Sequence, residues 1–146
     1  GRSDATINRH GLRMGTADIY AAVERLPEIA ESLVIDLEDG EGGSQLLMFV
    51  VLREAEILDQ ALEGTIARAI RSSLSPRFVP DAFVNAPAIP RTLSGKKQEL
   101  PIKRLFQGWA MEKVINPDVL KNPEVIRWYR ARARAWQEQS AQSTIA

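Results

Sequence analysis

Seven consecutive apolar residues, Leu46, Leu47, Met48, Phe49, Val50, Val51 and Leu52, constrain this fold more than any other part of the sequence. A strand turns alternate side chains to opposite faces, so an apolar residue at every position calls for cover on both sides. The run therefore reads as a central strand. A second β-rich run at residues 32–37 precedes it, across an acidic, glycine-rich turn at 38–44. Leu58, Leu62, Ile66, Ala69 and Ile70 then mark an amphipathic helix ending near Leu74. Upstream, residues 7–14 read as a short hairpin whose turn chemistry lies at 8–11, with Gly11 able to take a positive φ. Thr16 is expected to cap a helix marked by Ile19, Ala22, Val23 and Leu26 and stopped by Pro27.

The sequence changes character after that core. Pro76, Pro80, Pro87 and Pro90 break it into extended pieces, with room for a short strand at 82–85. A polar loop follows, Arg91-Thr92-Leu93-Ser94-Gly95-Lys96-Lys97, and Pro101 can open a short helix through Phe106. Beyond Gly108 the chain reads as an appendage. Asn116-Pro117-Asp118 and Asn122-Pro123-Glu124 are two helix starts, each with a capping asparagine and proline at the first helical position, and the last helix groups Val125, Tyr129, Ala133 and Trp136 on one face. Large aromatics such as Trp128, Tyr129 and Trp136 call for a contact, either on this domain or on another. The expected fold is α+β: a small sheet with a hairpin and a three-stranded part packed by helices, plus a helical C-terminal extension. The expected domain is 1–108, with the extension at 109–146.

Composition removes several classes of function. Lysine plus arginine and aspartate plus glutamate balance at 19 each, so no global field draws nucleic acid or an anionic membrane. The arginines of the last helix, Arg127, Arg130 and Arg134, read as a solvated or docking face, since no aromatic platform accompanies them. With no cysteine, disulfides, thiolate metal sites and a cysteine nucleophile are excluded. His10 is the only histidine, which argues against an imidazole metal site and against a Ser-His-Asp set. No stretch is long and apolar enough to span a bilayer, and the polar N-terminus does not resemble a signal peptide. A cytoplasmic setting is expected. The first residue is not methionine, as expected of a fragment or a processed chain.

Three features could carry chemistry. In Ser94-Gly95-Lys96 a glycine lets backbone approach a ligand, and a lysine offers a flexible cation for phosphate or carboxylate oxygens. Alone, it reads as a solvated loop, because the upstream glycine of a phosphate-binding loop is missing. Gly1-Arg2-Ser3-Asp4, followed by Gly11-Leu12-Arg13, is a polar strap leading into the hairpin, with two arginines able to meet an anion. Arg71 ends the second helix, where it could complement the helix dipole or contact a phosphate.

The order of these motifs is more specific than any one of them. Gly1-Arg2-x-Asp4, Gly11-x-Arg13 and Gly15-Thr16 resemble the hinge and adjacent hairpin of the acyl-CoA synthetase, luciferase and peptide-synthetase adenylation superfamily. Pro90-Arg91-Thr92-Leu93-Ser94-Gly95-Lys96 resembles that superfamily's C-terminal lysine loop. The likeness runs from Gly1 to about Gly108. Ser94-Gly95-Lys96-Lys97-x-Glu99-x-Pro101-x-Lys103 with Asn116-Pro117 is most similar to the acetoacetyl-CoA synthetases, which also carry an extension after the loop.

The resemblance implies a two-step AMP-forming ligase, with ATP and CoA as substrates and a small carboxylic acid, acetoacetate, as acyl donor. Magnesium is expected with ATP, held by the N-terminal nucleotide-binding domain that would be this chain's partner; no metal site is expected here. Lys96 would be catalytic and nucleotide-binding in the first step, and Arg2 would meet the nucleotide ribose. Asp4 would be the hinge. Gly11 and Arg71 would serve CoA, and Arg13 matches the family in type without an assigned role. Ala5 departs from the second acid of many relatives, and Lys97 is a rival to Lys96 for the key amine. A lysine acetyltransferase and deacetylase acting on Lys96 would be regulatory partners. The alternative is a free-standing, non-catalytic docking or regulatory module.

Overall fold

The computed structural model describes residues 6–9, 12–38 and 44–145. The turn expected at 38–44 lies largely outside them, as do Arg2, Asp4, His10 and Gly11. The backbone divides into two compact units, 1–89 and 90–146.

The first unit opens with the expected hairpin. Strand β1 (Thr6–Arg9) pairs antiparallel with β2 (Leu12–Gly15), and Arg9 lies opposite Leu12. Helix α1 (Thr16–Glu24) follows directly. Here the cap expectation is corrected: Gly15 is the N-cap and makes no side-chain cap bond, while Thr16 is the first helical residue and is buried. β2 stays paired through Gly15, opposite Thr6, so it leaves no spare residue for a separate cap.

Strands β3 (Ile29–Glu38), β4 (Ser44–Leu52) and β5 (Ala82–Asn85) form one sheet in the order β3-β4-β5. β4 is central, antiparallel to β3 and parallel to β5, as its unbroken apolar run requires. Leu46, Met48 and Val50 face one side, and Leu47 and Phe49 the other; all five are buried. β3 starts three residues before the expected run, because β4 continues to Leu52 and pairs it with Ile29 across a bulge. Helix α2 (Gln60–Ser73) supplies the crossover to β5, capped by Asp59, whose carboxylate accepts from Leu62 N at 2.9 Å. Leu62, Ile66 and Ile70, four residues apart, bury its apolar stripe against Ile19, Val23, Val34, Met48 and Phe78. Asp81 ties β5 to the central strand at its start: its N donates to Leu46 O at 2.8 Å and its carboxylate accepts from Leu46 N at 2.7 Å.

As an edge strand, β3 has backbone donors that face away from its partner. Helix α1 covers two of them. Ser32 N and Ser32 Oγ both donate to Glu24 Oε2, at 2.9 and 2.8 Å, and Val34 N donates to Tyr20 Oη at 3.1 Å. This accounts for Ser32, a polar residue with no exposed surface.

In the second unit the lysine loop leads into α3 (Glu99–Phe106). Pro101 is the third residue of that helix, still in the first turn, where its missing N–H costs no bond. A short helix α4 (Met111–Val114) and two 3-10 turns, Pro117–Val119 and Pro123–Val125, lead to α5 (Ile126–Ile145). α5 packs on α3; Ile126, Tyr129 and Ala133 of α5 are buried, as is Val125 of the turn before it. Phe106 and Trp136 meet edge to face at 6.2 Å, and Gln137 Nε2 donates to Phe106 O at 3.2 Å at the end of α3. The expected aromatic contact of the extension is thus found within its own unit.

Candidate functional site

The loop around Lys96 is a tight hairpin built from its own polar side chains. Gly95 N donates to Thr92 O at 2.8 Å and Thr92 N donates to Lys96 O at 2.9 Å. Gly95 takes φ +93, the positive value that the three-residue hairpin needs and that side chains resist. Thr92 Oγ1 accepts from Lys96 N at 3.0 Å and lies 3.0 Å from Ser94 Oγ. Gln98 N donates to Pro90 O at 3.0 Å and closes the base, just before α3 begins.

This hairpin separates the two lysines. Lys97 forms the bridge with Arg91 and is half-buried, whereas Lys96 is exposed. Neighbouring residues on an extended arm point to opposite sides, so the two ammonium groups cannot serve one ligand in the same way. The bonds that fix Lys96 run through its backbone. Its long side chain is left to reach outward. Between residues 90 and 98 stand Arg91, Lys96 and Lys97 and no acid, so the loop suits an anion.

Arg91 is a site residue that sequence reasoning passed over. Its Nη1 donates to Gly95 O at 2.8 Å. Gly95 O and Lys96 N belong to one peptide unit, so the Arg91 guanidinium and the Thr92 hydroxyl hold both ends of the peptide that carries Lys96. The available signal was an arginine four residues before the loop glycine, next to a threonine.

The remaining expected residues are less defined. Arg13 stands on β2 opposite Asn8 and is exposed; Arg71 stands exposed in the last turn of α2. Both belong to the first unit, on separate elements, and Lys96 belongs to the second. Arg2, Asp4 and Gly11 lie outside the described residues. Among the described residues, no group of three or more His, Cys, Asp or Glu side chains could hold a metal ion.

Residues 18–96 match the family model of the AMP-binding enzyme C-terminal domain, so the match ends on Lys96. The acetoacetyl-CoA synthetase of Caenorhabditis elegans is 39% identical over 125 residues, covering 85% of this chain and 17% of the relative. That of Rhizobium meliloti is 43% identical over 126 residues, covering 86% of this chain and 19% of the relative. A solved acetoacetyl-CoA synthetase from Streptomyces lividans superposes with a TM-score of 0.83 at 48% identity, over 92% of this chain and 20% of that one. The chain thus spans about a fifth of the length of these relatives. A family model covering more than half the residues, and a common fold running well past the lysine loop, place the chain in the AMP-binding enzyme C-terminal domain family.

Proposed function

We propose that this chain is the mobile C-terminal domain of an ATP-dependent, AMP-forming acyl-CoA ligase, and that the acid it activates is acetoacetate. The observation that carries the reading is Lys96: an exposed cation on a pinned hairpin, at the last residue of the family match. The relatives' names supply the acid.

In the first half-reaction a carboxylate oxygen attacks the α-phosphorus of ATP, and pyrophosphate leaves with the electrons of the broken P–O bond. Lys96 brings its ammonium to the carboxylate and the α-phosphate oxygens. There it aligns two groups that repel each other and offsets charge as the phosphorus becomes five-coordinate. In the second half-reaction the CoA thiol, losing its proton, attacks the acyl carbonyl, and AMP leaves. Asp4 acts as the hinge that exchanges one face of the domain for the other between the steps. Arg2 meets the ribose in the first arrangement. Gly11 leaves room for the pantetheine arm in the second, and Arg71 meets a CoA phosphate. The N-terminal domain of the same enzyme is the partner and holds ATP with its magnesium. Lys96 acetylation would remove the cation and silence the first step, with a deacetylase restoring it.

The test is a panel of short carboxylic acids offered to the full-length enzyme, read by acid-dependent exchange of pyrophosphate into ATP. Acetoacetate should give the highest kcat/KM. Preference for a plain alkanoate, with acetoacetate inert, would remove acetoacetate from the reading and leave the ligase class standing.

A further inference from the structure

The family match stops at Lys96, yet the loop that carries it continues into contacts further along the chain. Residues 91–93 form the middle line of a small three-part ladder. On one side lies the returning arm, where Thr92 N meets Lys96 O. On the other lies the segment 119–122. Leu93 N donates to Val119 O at 2.9 Å, Lys121 N donates to Arg91 O at 2.8 Å, and Thr92 bridges Leu120. The Asn122 side chain completes the ladder, its Oδ1 accepting from Arg91 N at 3.1 Å.

Asn122 therefore does not act as the helix cap that its place before Pro123 implied: the following turn has no side-chain cap bond. Asn116, in the same Asn-Pro context, does cap, accepting from Asp118 N at 3.0 Å. The same residue type before the same turn is used for two purposes, and Asn122 is turned to the lysine loop. The segment is anchored at both ends. Val119 N is tied to Asn116 O at 3.2 Å, and Asn122 is followed by the buried Val125, Ile126 and Tyr129.

We propose that Asn122, with the segment 119–122, is a positioning element for Lys96. The segment fixes the backbone of Arg91, and Arg91 in turn fixes the Gly95–Lys96 peptide through its guanidinium. A short hairpin standing alone is marginal in water; a third line of bonds makes it rigid. The C-terminal extension thereby holds the backbone from which the Lys96 side chain springs, so that less loop freedom remains to be lost when ATP and the acid arrive. This inference rests on Lys96 serving the adenylation step.

The experiment uses the full-length enzyme and measures each half-reaction separately, pyrophosphate exchange for adenylation and conversion of supplied acyl-adenylate plus CoA for the thioester step. Asn122→Ala should slow adenylation by about ten- to a hundredfold, the range expected for a misplaced reacting group, and leave the thioester step within about twofold. Asn122→Asp, which keeps an oxygen acceptor for Arg91 N, should recover most of the loss. Arg91→Met should slow the same step, and the double variant should be no slower than the worse single one, since both act along one route. Equal loss of both half-reactions in Asn122→Ala, or unchanged adenylation, overturns the proposal. Lys96→Ala is run alongside. If it spares adenylation, the reading of Lys96 fails; if it abolishes adenylation while Asn122→Ala does nothing, only the positioning role fails.

Discussion

Gly95 sits one residue before Lys96, the cation on which the proposed adenylation depends. A Cβ built there would meet nothing within 4 Å, yet φ is +93. Space and conformation can be separated at this position. Gly95→Ala should therefore cost the loop about 1–2 kcal/mol from backbone strain alone. Global stability should fall by no more than that strain, while pyrophosphate exchange in the full-length enzyme falls. Gly95→Asn should be milder, because asparagine takes positive φ more readily than alanine. If both variants kept native exchange rates, the hairpin geometry would be irrelevant to Lys96. Gly108 adds a contact to the same strain. Its φ is also positive, at +100, and a Cβ would come within 2.8 Å of Gln137 Nε2, displacing a flexible side-chain tip and its bond to Phe106 O.

At the scale of elements, stability concentrates in β4 and the helix that crosses over it. Phe49 has no exposed surface, and its truncation to alanine should cost about 3–5 kcal/mol in chemical denaturation, from lost burial and the cavity left behind. Asp59→Ala removes one cap bond of α2 and should cost about 1 kcal/mol. A reversed ranking would mean that the core is not where the burial places it.

Elements whose cause is local were legible in the sequence. β4 followed from its uninterrupted apolar run, and β5 appears at 82–85 as the prolines allowed. The stripe of α2 followed from its spacing. What was not legible depends on distant partners. β3 is longer than its apolar run because β4 pairs with it to the end. The ladder between 91–93 and 119–122 joins segments of no marked periodicity almost thirty residues apart, and Asn122 looked like a cap. The same division holds at the site. The glycine and lysines were visible as a motif, whereas the role of Arg91 follows from a bond across the hairpin that the motif does not encode.

At the scale of the molecule, the chain is a domain whose proposed work needs a second domain that holds ATP. The alternation model assigns its surfaces to separate steps: the Lys96 loop to adenylation, the hairpin at Gly11 to thioester formation. A bulky residue at Gly11 should spare pyrophosphate exchange and lower the rate at which supplied acyl-adenylate is converted by CoA. Impaired exchange with normal thioester formation would reverse the two faces.

Lys96 is proposed to serve the first half-reaction alone. The most direct measurement is Lys96→Ala in the full-length enzyme, assayed with acetoacetate and ATP and, separately, with acetoacetyl-adenylate and CoA. Pyrophosphate exchange should fall by about a hundred- to a thousandfold, the scale on which a preorganised charge-stabilising group acts. Thioester formation from the adenylate should stay close to the native rate, with Lys97→Ala near native in both. Equal loss of the two half-reactions in Lys96→Ala, or loss of adenylation in Lys97→Ala in its place, would contradict it.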